Sequence, residues 1–308
     1  MRNIQGYSSK DRKGNHGRMK EIVIISGKGG TGKTSITGCF AALAENAVLA
    51  DCDVDAADLH MLLAPDVIEK TDFISGHEAI VREKDCIGCG VCMEKCKFNS
   101  IVKTSEGKYR VDPYGCEGCM VCVEVCPVKA IDFPPNHCGE WFFSHTRFGP
   151  MVHARLGIAQ ENSGKLVSTV RKEAAERAEE LKKDLLIVDG PPGIGCPVIA
   201  SITGADLLVV VTEPTISGKH DMVRVLELAK HFTVPACVIV NKWDINPEMT
   251  AEIEAEAVSN SAYPVGRIPY DTAFTVAQIN GRTLIEESTG ASVDNITTIW
   301  ESVCQRLK

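Results

Sequence analysis

The sequence predicts an α/β protein, a parallel sheet with helices on both faces, with a second, small α+β domain inserted into its middle. Three observations predict it. Short β-branched runs recur between helix-forming stretches, one run opens directly into a glycine-rich loop, and Cys, Gly and Pro displace the apolar runs between about residues 71 and 135. Composition removes other classes. No uninterrupted apolar run reaches the roughly 18 residues that span a bilayer, so no membrane partner is expected. The net charge of −8 disfavours a phosphate-backbone partner, so no nucleic acid is expected. Fourteen cysteines, clustered at metal-ligand spacings and not preceded by a hydrophobic secretory signal, lead to the expectation of a reducing cytoplasm.

Residues 1–18 are basic and polar without apolar periodicity and are expected to be a disordered leader or a remnant of expression. The folded pattern starts at Met19. A strand over Glu21–Ile25, a glycine-rich loop and a helix to about Glu45 make one β-loop-α unit, and a second strand ends at Ala50. After the cysteine-rich segment, residues 141–160 read as strand and hairpin, and Lys172–Lys183 as an Ala/Glu/Lys/Arg helix. Further strands are expected at Leu185–Val188, Leu207–Val211 and Ala236–Val240. The expected division is one discontinuous domain, 19–70 with 136–308, and an insert at 71–135.

The loop GKGGTGKT, Gly27 to Thr34, follows a strand and opens a helix, the context a phosphate-binding P-loop requires. Gly29, Gly30, Thr31, Gly32 and Ser35 would bring backbone amides and the helix N-terminus to the phosphates. Lys33 would reach the terminal phosphates, and Thr34 would ligate Mg2+. Asp51, Asp53 and Asp55 follow the second strand at its C-terminal end, where α/β sheets place ligand chemistry. Asp51 and Asp55 could equally be cap or loop residues. Leu185–Asp189 followed by Gly-Pro-Pro-Gly193 reads as a Walker B strand and a switch, with Asp189 holding magnesium through water. Asn241-Lys-Trp-Asp244 matches a guanine-reading motif by its letters, but a four-residue match is weak, and ATP is preferred over GTP.

Cys86-x2-Cys89-x2-Cys92-x3-Cys96 and Cys116-x2-Cys119-x2-Cys122-x3-Cys126-Pro127 repeat the two-cluster bacterial ferredoxin spacing. Three thiolates of each motif and the fourth of the other would hold one cluster. That assigns Cys86, Cys89, Cys92 and Cys126 to one 4Fe-4S cluster, and Cys116, Cys119, Cys122 and Cys96 to the other. Lys97-Phe98 stands where proline usually follows the fourth cysteine. Cys-x-x-Cys pairs also make zinc sites, but eight cysteines in this register fit iron-sulfur better. Cys39, Cys52, Cys237 and Cys304 lie in or beside apolar segments and read as structural.

The extra Lys28 makes the loop similar to that of the deviant-Walker ATPases, the MinD, ParA and nitrogenase-iron-protein superfamily. The whole segment from Met19 to about Thr283 resembles MinD-superfamily ATPases with an inserted ferredoxin domain. Glu161–Lys165, Gly195–Val198 and Thr212–Thr215 add to the likeness. The resemblance implies that Lys28 crosses to the nucleotide of a homodimer partner, that Asp53 positions the attacking water, and that Asn241 and the loop at Pro269 sit at the base. Cys196, seven residues after Asp189, matches the offset of a dimer-bridging cluster ligand in the nitrogenase iron protein, with Cys138 as the candidate second ligand. A small buried residue is the alternative for Cys196. The C-terminal face Ile296, Ile299, Trp300, Val303, Cys304 and Leu307 is expected to pack on the sheet. The function expected is a Mg-dependent ATPase coupled to electron transfer or to metal-cofactor assembly on an unidentified partner protein. A ParA- or MinD-like positioning switch with redox-sensing clusters, or a simple electron carrier, is the alternative.

Overall fold

In the computed structural model, which describes residues 18–157 and 163–307, the glycine-rich loop joins β1 (Lys20–Ile25) to α1 (Lys33–Leu43). Ile22 and Ile24 of β1 face one side of the sheet, Val23 and Ile25 the other, and all four are fully buried. A strand covered on both faces is apolar throughout, which is why the run shows no polar alternation. Then come β2 (Ala47–Asp51) and a short α2 (Leu59–Leu63). The expected leader falls on residues 1–17, outside the described ones apart from Arg18, and residues 161 and 162 of the Glu161–Lys165 stretch also lie outside.

β3 (Asp66–His77) leads out of this layer into a small unit of β4 (Ile80–Val81), α3 (Val91–Lys95), β5 (Ile101–Lys103), β6 (Tyr109–Val111), α4 (Val121–Glu124) and β7 (Ile131–Asp132). The chain returns along β8 (Pro135–Thr146) and turns into β9 (Gly149–Leu156). β3 and β8 pair antiparallel from Asp66 opposite His145 to His77 opposite Pro135, so the small unit sits at the end of a two-stranded ribbon. Thr71, where the composition changes, lies inside β3, whose residues from Asp66 to Asp72 are all exposed. A strand wet on this stretch carries no apolar run to announce it.

The remaining elements are α5 (Ser163–Glu180), β10 (Leu185–Asp189), α6 (Cys196–Ile202), β11 (Leu207–Thr212), α7 (Ile216–His231), β12 (Ala236–Asn241), α8 (Pro247–Ser259), β13 (Tyr263–Ile268), α9 (Ala273–Ile279), α10 (Leu284–Glu287) and α11 (Ala291–Gln305). Nine strands form the main sheet in the order β13-β12-β11-β1-β10-β2-β9-β8-β3. Neighbours from β13 to β9 run parallel, and β8 and β3 extend the edge antiparallel. The sheet is therefore mixed, with a parallel majority.

α5, α6, α7 and α8 bury Leu166, Ile202, Met222 and Ile253 on one face, while α1, α2, α10 and α11 bury Phe40, Leu59, Leu284 and Val303 on the other. Each such side chain contributes roughly 1.5–3 kcal/mol. The apolar face of α11 packs as expected, and the Trp300 ring lies 4.9 Å from that of Phe40. No helix among the described residues is long and apolar enough to cross a membrane. Cys39, Cys52 and Cys237 are fully buried, and burial pushes the Cys39 thiol up to about 12 and that of Cys237 to about 11. The turn between β8 and β9 is pinned by Arg147, which donates to Glu286 Oε1 at 2.6 Å and Oε2 at 2.8 Å, and to the carbonyls of Leu62 and Gly281.

Candidate functional site

Sheet register places the chemistry. Ile24, Asp189, Asp51 and His153 are neighbours across β1, β10, β2 and β9, so two of the expected carboxylates stand side by side at the C-terminal strand ends. The P-loop arches over this edge. Its Gly32 takes φ 87°, and a Cβ there would lie 2.5 Å from Asn241 Nδ2, so the position demands glycine. Asn241 Nδ2 donates to Thr31 O at 2.8 Å and ties the loop to the end of β12. Gln278 Nε2 donates to Ser35 Oγ at 2.8 Å, and Gly193 N donates to Ser26 O at 2.8 Å, which joins the Gly-Pro-Pro-Gly turn to the loop. Gly29 and Gly30 form the exposed crown of the loop.

Beneath the loop, Lys33 Nζ lies 2.9 Å from Asp189 Oδ1 and 3.5 Å from Asp53 Oδ2. Burial lowers the Lys33 pKa, but Asp189 and then Asp53 outweigh it and leave it above the ordinary lysine value. Thr34 Oγ1 donates to Asp189 Oδ2 at 2.9 Å. Thr37 Oγ1 lies 2.8 Å from Asp189 Oδ1, a contact the sequence reading missed; its signal was the i+4 spacing from Lys33 on one helix face. Asp51 also belongs to this buried group. It is fully buried, Oδ1 accepts from Asp53 N at 3.2 Å, and burial followed by the neighbouring Asp189 raises its pKa well above the ordinary carboxylate value. Burial also raises Asp53, against the pull of Lys33.

Among the described residues, the buried side-chain oxygens left without a hydrogen-bond partner are Thr31 Oγ1 and Asp51 Oδ2. Both belong to this site. Buried polar atoms are nearly always satisfied, so two orphans beside a basic, amide-rich loop fit a ligand that brings charge and polar atoms of its own.

Lys28 is half-exposed, with Nζ 3.5 Å from Glu213 Oε2 and 3.3 Å from Ser217 Oγ, and so folds back onto its own chain. Glu213 also pairs with Lys242. At the end of β12, Asn241 is in register with Ile268, which Pro269 follows. Asp244 Oδ1 accepts from Tyr270 N at 2.6 Å, so this carboxylate serves as a loop tie.

In the small unit Cys86, Cys89, Cys92 and Cys126 line one cavity, closed by Tyr109 and Ile131. Ala130 N donates to Cys126 Sγ at 3.3 Å, the kind of amide-to-sulfur bond that stabilises a thiolate ligand. Cys116 and Cys122 are half-buried against the same apolar cluster, Cys119 is exposed, and Cys96 Sγ lies 3.2 Å from Ser100 Oγ. The eight cysteines of the two motifs are not joined in disulfides. This donor set, all sulfur and grouped in apolar surroundings, fits iron-sulfur chemistry. Cys196 and Cys138 are placed differently. Cys196 is exposed at the start of α6, whereas Cys138 is fully buried and donates to Ser75 O at 3.1 Å.

The known proteins this chain is similar to agree with both halves of the geometry. A family model described as a 4Fe-4S dicluster domain matches residues 79–133. The uncharacterized protein MJ0578 of Methanocaldococcus jannaschii is 35% identical over 238 residues, which cover 75% of this chain and 80% of that protein. Apo McdA of Cyanothece superposes with a TM-score of 0.56 at 16% identity, over 94% of this chain and 100% of its own. The septum site-determining protein MinD of Pyrococcus horikoshii, complexed with Mg-ADP, gives a TM-score of 0.54 at 16% identity, over 92% and 96%. At such identities the likeness is one of fold.

Proposed function

The chain belongs to the family of MJ0578 and joins a MinD/ParA-type P-loop fold to a 4Fe-4S dicluster domain in one polypeptide; on that premise we propose that it is a Mg-dependent ATPase. It works as a nucleotide-controlled homodimer and couples ATP binding and hydrolysis to electron transfer or to metal-cofactor assembly on a partner protein. The observation that carries the reading is the buried group of Lys33, Thr34, Asp53 and Asp189 with the orphaned Thr31 Oγ1 and Asp51 Oδ2 beside it.

Phosphates entering under the loop compete with Asp189 and Asp53 for the Lys33 ammonium, which stays charged because its pKa is raised. Asp53, freed from that pair, is left to orient the attacking water. Thr34 and Asp189 are the residues that would hold magnesium, which supplies charge neutralisation at the phosphates when bound. Lys28 would leave Glu213 and Ser217 for the nucleotide of the partner subunit. The tie between Asp244 and the Tyr270 amide supports ATP over GTP, since a guanine-reading aspartate needs its carboxylate for the base. Cys86, Cys89, Cys92 and Cys126 would hold one 4Fe-4S cluster, and Cys96, Cys116, Cys119 and Cys122 a second. The clusters supply one-electron chemistry when bound.

The test is phosphate release by anaerobically prepared protein with ATP and GTP, beside iron analysis. ATP turnover that falls on the order of 100-fold in Lys33→Met, with two four-iron clusters per chain, is expected. Equal rates in wild type and Lys33→Met, or preference for GTP, would overturn it. The coupling fails if a non-hydrolysable ATP analogue leaves the cluster potentials unchanged.

A further inference from the structure

The first described turn of α5 stands where the two halves of the molecule meet. Lys165 Nζ donates to Ser75 Oγ at 3.1 Å and lies 5.9 Å from the centre of the Phe73 ring. Phe73 and Ser75 are buried, each 4% exposed, on β3, the strand that enters the 4Fe-4S unit. Ser75 is held from its other side too, because Cys138 of the returning strand β8 donates to its carbonyl. The neck of the ribbon is thus held by Lys165 of α5, while Arg177 of the same helix pairs with Glu69 nearer the ribbon's base.

Beyond the neck, the end of β3 is in contact with one particular cysteine motif. A Cβ on Gly118 would lie 2.4 Å from His77 O, whereas its counterpart in the first motif, Gly88, packs on Gly107 O at the far hairpin turn. The loop carrying Cys116 and Cys119 therefore rests on the neck.

The same turn of α5 touches the nucleotide side. A Cβ on Gly164 would lie 3.5 Å from the Cys196 backbone, at the start of the helix that follows the Asp189–Gly195 turn. Val167 O lies 4.0 Å from Cys52 Sγ, and Cys52 stands between Asp51 and Asp53. Leu166, Val167, Val170, Ala174 and Ala178 fix α5 as a packed rod, and close-packed elements pass on a shift as rigid bodies.

Resting on the coupling proposed above, we infer that Lys165 is a positioning residue that passes nucleotide state from the Asp189–Cys196 turn to the 4Fe-4S unit, through Ser75 and the β3 neck. Its side chain contacts β3, while the ribbon stays joined to the main sheet through β8 and β9, so its loss removes one link between the halves and leaves each folded.

The experiment is an EPR-monitored redox titration of full-length, anaerobically prepared protein, with and without Mg and a non-hydrolysable ATP analogue, for wild type, Lys165→Met, Lys165→Arg and Ser75→Ala. The nucleotide-induced change in cluster potential is expected in wild type and in Lys165→Arg, and is expected to be lost in Lys165→Met and Ser75→Ala. ATP hydrolysis should stay within about twofold of wild type in Lys165→Met, a change of about 0.4 kcal/mol in barrier. A wild-type change that persists in full in Lys165→Met overturns this inference alone. No change in wild type overturns the coupling itself, and the inference with it. Hydrogen exchange over residues 71–78 gives a second reading: protection that follows nucleotide in wild type should no longer do so in Lys165→Met, and unaltered dependence there counts against the role of Lys165.

Discussion

Asp51→Asn isolates the cost of preparing this site. Asp51 is fully buried beside the equally buried Asp189, with one oxygen accepting from Asp53 N and the other without a partner among the described residues. A buried polar group without a partner costs about 1–3 kcal/mol, and more if charged. Removing the charge while keeping the shape should therefore stabilise the nucleotide-free protein by about 2 kcal/mol, or about 4–8 °C in Tm for a domain of this size. The sign with pH is fixed. Burial and Asp189 raise the folded-state pKa, so the folded form holds the proton more tightly, and stability falls as pH rises from the ordinary carboxylate value through the raised one. The advantage of Asp51→Asn should grow over that window and be larger at pH 8 than at pH 5. The assay is thermal unfolding at both values, first without magnesium or nucleotide and then with Mg and a non-hydrolysable ATP analogue. Ligand stabilises by RT ln(1 + [L]/Kd), and the variant should lose much of that increment because the orphaned oxygen is no longer there to be satisfied. A nucleotide-free variant less stable than wild type, or an undiminished ligand increment, would refute the reasoning.

Four other outcomes follow from the same contacts. His153 is buried between the Phe142 and His60 rings with Nε2 2.9 Å from Ser144 Oγ, and burial, then His60, brings its pKa down to about 4. The folded state thus resists protonation and loses up to about 3 kcal/mol as pH falls from about 6.5 to 4; the Ser144→Ala/His153→Phe double variant should flatten urea-unfolding stability over that window. Burial would raise Glu286, but Arg147 and Thr283 outweigh it and hold it down to about 2. Arg147→Met should cost about 2 kcal/mol after allowance for solvent screening, with the pair's contribution present above about pH 4.5 and lost toward pH 2 in wild type. Lys28→Ala should abolish nucleotide-dependent dimerisation in mass photometry, yet change monomer stability by less than about 1 kcal/mol because its pair with Glu213 is a partly exposed one. If Cys126 completes a cluster with Cys86, Cys89 and Cys92, with which it lines one cavity, Cys126→Ser should lower iron per chain by about half and leave the proposed ATP hydrolysis in place.

The P-loop, Asp189 and both cysteine motifs were legible because their chemistry is local. A phosphate loop and a Cys-x-x-Cys turn are set by the backbone of a few consecutive residues, so spacing alone reports them. The parallel strands were legible for a related reason: burial on both faces leaves an unbroken apolar run. β3 left no such mark. Its first seven residues are exposed, and only pairing with β8, far along the chain, makes them a strand. The start of α5 at Ser163, ahead of the Ala/Glu/Lys/Arg run at Lys172, was hidden for the converse reason, since Leu166, Val167 and Val170 owe their helix to packing on the sheet.

The sequence by itself determined that a MinD/ParA-type P-loop fold and a 4Fe-4S dicluster domain share one chain. Only the tertiary structure decided how they are joined. Register across β10 and β2 buries Asp51 beside Asp189 and leaves its oxygen unsatisfied, while Lys165 meets Ser75 across ninety positions of sequence. Motifs are written in neighbouring residues because a short loop fixes their geometry. Coupling between sites depends on which distant elements pack together, and that is settled by the burial of the whole sheet.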